Sequence, residues 1–552
     1  MKTLKQMLTS ALFPTALLLC MYSCSGGEEI PDAVRPQKPA EEEEKEIPAH
    51  DFLMGSLFGF EKDVRNGSAS ASGGTSTTTF YNRPLFEMYE FRDATSDQDW
   101  WDNLVEEYLY AGLDYMIPNC RGCLPRADRY TDHGDPAHIQ KLLNALEDRG
   151  AKDMKIAIFD DAPASWAAAL NFDQNGRYAF DMAAGDRYPI DDILDDEEAF
   201  QNIYKYIWDY NIKLAFDNFY GENQKYNDYL LRIDGKPLLF VWSPNGFVNY
   251  EYDGVKPVCT KRFKKIFDRI HEDFRERYGE ELHICADKAF QDRDPYVTGK
   301  VVESMNDWFV AAQNVSKSYT LRSVNKYNVG VACPGFWIND KKGDKSMFFD
   351  ANHGKRLSEA LDYFITYKAS FVMLEGFTDM YENAAYFRST DSVFYDYPNQ
   401  RLNILRKYSS RNAYPEHMNV EAESCDRYLD RSKGNSGRQY RSGDLDVSRA
   451  EDTYRSWCVC DTEAGEWLEW VELPYSAGIS EINLRYRSSS EAVIRFAIDG
   501  KDCVEKTLPS TEGQWRTVTA ASVKFDKKGW YKTVLKVVSG SPDFNWFSID
   551  RQ

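Results

Sequence analysis

A (β/α)8 (TIM) barrel followed by an all-β, jelly-roll-like sandwich is the architecture this sequence predicts. Three observations lead to it. The 552 residues are too many for one ordinary core. Between residues 51 and 411, eight short apolar runs alternate with helically spaced segments. Beyond Arg411 the hydrophobic period changes to two, with glycine-bearing turns.

The eight runs are 85–89 (LFEMY), 114–118 (DYMIP), 155–159 (KIAIF), 237–242 (PLLFVW), 282–287 (LHICAD), 301–309 (VVESMNDWF), 327–336 (YNVGVACPGF) and 371–377 (FVMLEGF). Between them, Phe263, Ile266, Phe267, Ile270 and Phe274 mark one helical face, and Leu357, Leu361, Phe364 and Ile365 another. Strands separated by helices pair in parallel, and eight such units close into a barrel. An open doubly wound sheet is the alternative, but no GxGxxG or phosphate-loop motif follows any run. In the last part of the chain, 467–471, 482–487, 493–498 before Asp499-Gly500, and 532–538 read as sandwich strands.

At the amino end, Lys2 and Lys5 precede an apolar stretch, 8–21, too short to span a bilayer and flanked like a secretory signal. Met21-Tyr22-Ser23-Cys24 resembles a bacterial lipobox, with Cys24 the residue to be lipidated. Cys20 is the rival, but Leu19 before it is large; an uncleaved anchor and plain secretion are the other readings. The Pro- and Glu-rich tract that follows, including Glu41 to Glu44, buries too little apolar surface to fold. The expected division is therefore a signal at 1–24, a flexible acidic tether at 25–50, the barrel at 51–411 and the sandwich at 412–552. The acidic residues close behind Cys24 resemble the signal that sends some lipoproteins to the outer face of an outer membrane. A cell-surface, lipid-anchored location is expected.

Composition narrows the partners. With 88 acidic and 67 basic residues the net charge is −21, which disfavours nucleic acid because phosphate binding needs a basic face. Aromatic residues make up 14% of the chain and suit sugar-facing surfaces as well as cores. Of eleven cysteines, nine remain once Cys20 is removed and Cys24 is lipidated. Cys120/Cys123 and Cys458/Cys460 fall in different expected domains, so buried thiols or one disulfide are expected rather than a shared zinc. No HExxH is present, and His133 and His138 lie in a polar loop.

In a barrel of this kind the chemistry gathers at the carboxyl ends of the strands. Those ends carry Glu87, Glu90, Asn119, Arg121, Asp160, Asp161, Trp242, Asp287, Glu303, Asp307, Trp337, Glu375, Asp379 and Glu382. Each carboxylate alone could be a rim ion pair. Together, acids and large aromatics without a Ser/His/Asp order suit glycoside hydrolysis: paired carboxyls protonate a leaving oxygen and activate water, while aromatic faces stack on pyranose rings. Glu375, Glu382, Asp160, Asp161 and Glu303 are the candidate catalytic acids, with Trp242, Trp337 and Asp379 as substrate contacts. No catalytic cofactor is expected.

Residues 229–242, YLLRIDGKPLLFVW, resemble the Y-x-R-x-x-GKP segment of glycoside hydrolase family 99 and 71 barrels, which act on α-mannans and α-glucans. AGLDYMIPN, IAIFDDAPASW and LEGFTDMYENAA also fit, and the whole stretch resembles a lipoprotein group known as domain of unknown function 5010. The resemblance implies a general acid at Glu375, before Gly376, and a third motif glutamate at Glu382. The motif's first glutamate, the one the resemblance would assign to the sugar 2-hydroxyl, falls on Val372.

VEAE at 420–423, GEWLEW at 465–470, Arg485, Arg487, the Asp499-Gly500 turn, Leu508-Pro509 and Trp515 resemble carbohydrate-binding modules of families 6 and 35. That resemblance implies a structural calcium on Glu421 and Glu423, a hard cation that wants several oxygens, although Phe547 stands where the third ligand, an aspartate, is expected. It also implies a sugar contact at Asn545, with Trp457 and Tyr440 as stacking candidates. The expected function is a lipid-anchored glycoside hydrolase acting on a polysaccharide or glycan. The contrary class is a non-catalytic glycan-binding lipoprotein with a relic barrel.

Overall fold

The computed structural model describes residues 46–59, 82–86, 97–120, 134–161, 197–242, 244, 261–308, 318–337, 348–380, 382–391, 393–452, 456–499, 501 and 505–552. Cys24, most of the acidic tether, and Glu87, Glu90 and Arg121 lie outside the described residues. Among the described residues, no helix is long and apolar enough to cross a membrane.

The first strand, β1 (Leu53–Phe58), lies upstream of the run at 85–89 expected to open the sheet. Gly55 and Ser56 break the apolar run in LMGSLF, and both are structural. A Cβ at Gly55 would sit 2.3 Å from the Tyr115 ring, and the Ser56 hydroxyl donates to the Leu374 carbonyl at 3.0 Å. Leu85 and Phe86 are buried, but the neighbouring Pro84 makes only an isolated bridge to Ser389.

The other seven runs each supply a parallel strand. In chain order the strands are β2 (Tyr115–Cys120), β3 (Lys155–Ile156), β4 (Ile158–Asp160), β5 (Arg232–Ile233), β6 (Lys236–Val241), β7 (His283–Asp287), β8 (Ser304–Asn306), β9 (Tyr319–Val324), β10 (Tyr327–Ala332), β11 (Phe336–Trp337), β12 (Phe348–Phe349) and β13 (Phe371–Leu374). The sheet runs β8-β7-β6-β4-β2-β1-β13-β10-β9. Every ladder from β8 to β10 is parallel. β9 pairs antiparallel with β10 in a hairpin whose Asn325 takes φ +53°, which asparagine tolerates. β8 also packs beside β9 and β10, so the whole is a barrel-like mixed sheet. The expected run at 327–336 ends early, at Ala332, and β11 pairs with β12 in a small sheet of its own.

Alternation along the strands sorts the side chains. Tyr115, Ile117, Phe159, Phe240, Cys285, Val331 and Met373 share one core inside the sheet. Their neighbours Met116, Ile158, Leu239, Ile284 and Val372 join the core shared with the helices outside. The helices that cover this outer face include α1 (Asp97–Tyr110), α2 (Ile139–Asp148), α3 (Glu197–Ile207), α4 (Arg262–Tyr278), α5 (Lys355–Thr366) and α6 (Gln400–Lys407). The expected faces are realised: Phe263, Ile266, Phe267, Ile270 and Phe274 of α4 are buried, as are Leu357, Leu361 and Phe364 of α5.

The remaining strands are β14 (His417–Glu421), β15 (Arg427–Leu429), β16 (Val447–Arg449), β17 (Trp457–Val459), β18 (Trp467–Tyr475), β19 (Gly478–Arg487), β20 (Ala492–Ile498), β21 (Glu505–Leu508), β22 (Arg516–Phe525), β23 (Gly529–Ser539) and β24 (Asp543–Arg551). They form two antiparallel sheets, β16-β17-β24-β19-β22 with β14 on β24, and β15-β18-β23-β20-β21. Trp470, Phe496 and Phe547 meet between them at 4.9–5.4 Å.

The sandwich is clasped to the barrel-like part by polar contacts, most of them buried. Arg149, which caps α2, reaches Glu421 at 2.9 Å, and Arg449 reaches Asp99 of α1 at 2.7 Å. Asp426 accepts from the Asn399 and Val471 amides at 2.9 and 2.8 Å, one on each side of the junction. Phe86 packs against Tyr440 and Trp457 with centroids 5.2 and 4.9 Å away.

Candidate active site

The alternation that fills the sheet interior continues beyond the strand ends and decides which rim residues face the mouth. Two positions past an interior residue, a side chain projects the same way. Asn119 follows Ile117, Asp161 follows Phe159, and Trp242 follows Phe240. Asp287 follows Cys285, Cys333 follows Val331, and Glu375 follows Met373. Backbone pairing extends to hold several of them. The Asp161 amide donates to the Cys120 carbonyl at 2.8 Å, the Trp242 amide to Asp160 at 3.0 Å, and the Glu375 amide to Ala332 at 2.9 Å.

Glu375 is the centre of this rim. Gly376 takes φ +76°, and a Cβ there would come within 2.9 Å of the Asp379 Cβ, so glycine is required for the turn. The Asp379 amide donates to the Gly376 carbonyl at 2.8 Å, and the Glu382 amide donates to Asp379 Oδ1 at 3.0 Å. The loop therefore folds back and gathers Glu375, Asp379 and Glu382, with one oxygen of each within 4.8 Å of the others. Three carboxylates this close must retain a proton or share a cation, and among the described residues this is the group that could hold a divalent metal.

Burial first, and the Asp379 carboxylate second, push Glu375 up to about 8. Its side chain is buried beside Cys333, and Oε2 has no hydrogen-bond partner. Glu375 is thus a carboxyl that keeps its proton at neutral pH, with one oxygen free at the mouth of the sheet.

Asp287 is a second buried rim acid, pushed up to about 7 chiefly by desolvation. Its Oδ1 accepts from the Ala289 amide at 2.7 Å, and Oδ2 is buried without a hydrogen-bond partner. Trp242, just past β6, and Trp308, just past β8, are half-buried at the edge of the interior core on either side of β7. Trp308 packs on Phe159 at 5.2 Å. Sequence reading passed over Trp308 as a substrate contact, although an aromatic two residues past a strand end was visible in MNDWF.

Other candidates stand elsewhere. Asp160 has the opposite parity to Asp161 and turns toward the helices, where the Asn211 side chain donates to it from the wide turn Trp208–Ile212. Glu303 precedes β8, because the chain enters the sheet only at Ser304. It bridges to Lys236, the first residue of β6, at 3.0 Å and accepts from the Ile284 amide at 2.9 Å. That is the amino end of the sheet, opposite Glu375. Trp337 is 8% exposed and packs edge-on against Phe348 at 5.2 Å. Val372 faces outward into the helix-side core, so its apolar side chain removes nothing from the mouth.

In the sandwich, Trp457 and Tyr440 are each 2% exposed, and their rings lie 5.4 Å apart with Phe86 against both. No space for a sugar ring remains between them. Asn545 is fully buried and donates to Asp452 at 2.8 Å. Glu421 spends one oxygen on Arg149; its other oxygen and Glu423 Oε2 are buried without partners. Phe547, opposite Val420 in the ladder, packs on Trp470 at 4.9 Å and offers no oxygen in place of the third ligand. The six described cysteines, Cys120, Cys285, Cys333, Cys425, Cys458 and Cys460, are buried free thiols.

Residues 50–427 match the family model described as Domain of unknown function (DUF5010), and residues 441–549 match the model of carbohydrate binding module (family 35). No curated protein matches the chain. Among solved structures, a glycoside hydrolase-like protein is 14% identical over 66% of this chain and 96% of its own, with a TM-score of 0.40. The carbohydrate binding module CBM6cm-2 of Cellvibrio mixtus lichenase 5A, in complex with cellotriose, is 21% identical over 24% of this chain and 97% of its own, with a TM-score of 0.20. A β-1,3-glucan binding CBM6 from Bacillus halodurans is 19% identical over 25% and 98%, also with a TM-score of 0.20.

Proposed function

Because the chain belongs to the family described as Domain of unknown function (DUF5010), a description that names no activity, we propose from its own site that it is a glycoside hydrolase. In this reading the barrel-like sheet is a closed (β/α)8 barrel, and Glu375 is the general acid that protonates a glycosidic oxygen. The observation that carries it is the Glu375 carboxyl itself: buried at the carboxyl end of β13, protonated near neutrality, with Oε2 unpartnered. Burial, and repulsion from Asp379, keep that proton in place. Trp242 supplies a stacking face, and Asp161 a further polar contact.

The match of residues 441–549 to a carbohydrate binding module supports a polysaccharide or glycan as the partner. The α-mannan and α-glucan class follows from the resemblance in residues 229–242. Glycan contact by the sandwich falls to surfaces other than Trp457 and Tyr440, which the junction with Phe86 consumes. Calcium takes roughly 6–8 oxygens; Glu421 and Glu423 fall short of that set, and Arg149 supplies the positive charge Glu421 needs. In the same reading Cys24 carries the lipid that holds the enzyme at the cell surface, and Cys24→Ala releases it from membranes.

The test uses the chain lacking residues 1–24 on α-mannans, α-glucans and host glycans. Glu375→Gln should lose about 10²-fold or more in kcat on a natural glycan, and should recover much of its rate on an aryl glycoside, whose leaving group needs little protonation. Equal losses on both substrates remove Glu375 from the acid role. No hydrolysis by the wild type makes the protein a glycan binder.

A further inference from the structure

Hydrolysis needs a second reacting group besides the acid, and the loop that carries Glu375 cannot provide it from the opposite side of a sugar. Asp379 and Glu382 come from the same loop, with oxygens within 4.8 Å of Glu375. Asp160 turns toward the helices and Glu303 lies at the far end of the sheet. Asp287 differs from all of these. It faces the mouth, Ala289 fixes its Oδ1, and its buried Oδ2 is unclaimed. Its strand, β7, lies between β6 and β8, and Trp242 and Trp308 follow the ends of those two strands. Indoles at the two strand ends that flank a fixed carboxylate are the groups that would stack on a pyranose ring beside it.

We propose that Asp287 is the catalytic base of the reaction, taking a proton from the water that attacks the anomeric carbon while Glu375 protonates the leaving oxygen. This rests on the hydrolase reading above. The step balances: the water oxygen forms the new bond to the anomeric carbon, the glycosidic C–O bond breaks, Asp287 gains one proton, and Glu375 loses one. Solvent then restores both groups. β7 and β13 are not neighbours in the sheet, so the two acids come from different walls of the rim. An acid and a base that leave room for a water between them, roughly 6.5–9.5 Å apart, form an inverting pair. A single displacement by water therefore gives a product of inverted anomeric configuration.

The experiment compares wild type, Asp287→Ala, Asp287→Asn and Glu375→Gln on the best glycan from the screen and on its aryl glycoside. Asp287→Asn can still accept from the Ala289 amide, so a melting curve like that of the wild type shows its fold is kept. Both Asp287 variants should lose about 10²-fold or more in kcat on both substrates, with KM within about threefold, since water activation is needed whatever the leaving group. Sodium azide should rescue Asp287→Ala and yield a glycosyl azide of inverted configuration, an effect a merely structural residue would not show. Proton NMR of the wild-type reaction should show the inverted anomer first. The proposal is overturned by retention of configuration, by a loss confined to KM, or by Asp287 variants that stay active while Glu375→Gln does not. Absence of hydrolysis by the wild type removes the hydrolase reading and Asp287's role together.

Discussion

Arg149 and Glu421 meet at 2.9 Å across the junction of the barrel-like part and the sandwich, with side chains only 10% and 6% exposed. The pair is sealed from water, so removing one partner strands the other. Arg149→Met should lower unfolding stability by about 3 kcal/mol, and Arg149→Met/Glu421→Gln should regain most of it. Chemical denaturation of the four members of that cycle measures the coupling. Additive losses would mean that the junction does not depend on this pair.

The same burial predicts how the sandwich behaves alone. Residues 412–552 without the barrel would expose Trp457, Tyr440, Glu421 and Glu423, all buried in the whole protein. The isolated fragment should melt at a lower temperature than the full chain, and the full chain should melt in one transition. Two well-separated transitions in calorimetry would contradict this.

Glu375 sets a pH dependence of stability. Its carboxyl rises from 4.5 to about 8 on folding, so the folded state binds more protons than the unfolded state between those values. Stability is full below the unfolded value and is lost as pH rises through about 8. Glu375→Gln carries no such titration. Its melting temperature should gain on that of the wild type as pH rises from about 5 to about 9. A constant difference across that range would place the titration elsewhere.

Glu303, despite its place in a run of strand-like sequence, should matter little to chemistry. Its ion pair with Lys236 is partly exposed, at 21% and 35%. Glu303→Gln should change stability by less than about 1 kcal/mol and kcat by less than about twofold. A large, selective loss of kcat would bring this end of the sheet into the reaction.

Gly55→Ala tests how tightly the interior is filled. The new methyl would meet the Tyr115 ring at 2.3 Å, and relief requires moving a fully buried side chain. A loss of about 1–3 kcal/mol is expected, with Tyr115→Leu as the compensating change. A wild-type melting temperature for Gly55→Ala would show that the ring can shift freely.

Seven of the strands were legible because each is a run of apolar residues long enough to stand out, and the α4 and α5 faces because their spacing is regular. β1 was not, since its glycine and serine serve a ring and a carbonyl that belong to distant strands. Glu375 was legible from its place after an apolar run and before a glycine. Asp160 and Asp161 could not be told apart by composition; a one-residue difference in parity sends one to the helices and the other to the mouth. Glu303 was misplaced because Val301 and Val302 look like strand but close a turn onto Thr298. Trp457 looked like a sugar platform because nothing local to it reveals Phe86, more than 350 residues earlier, on its face.

Tyr115 gives the interior one last property. Its ring lies against Gly55, its hydroxyl donates to the Val372 carbonyl at 2.6 Å, and Phe240, Phe371 and His283 pack in the same layer. Among the described residues, this layer fills the sheet interior beneath the rim. In the hydrolase reading, substrate and product would pass the same strand ends, so whatever occupies that rim would control both arrival and departure.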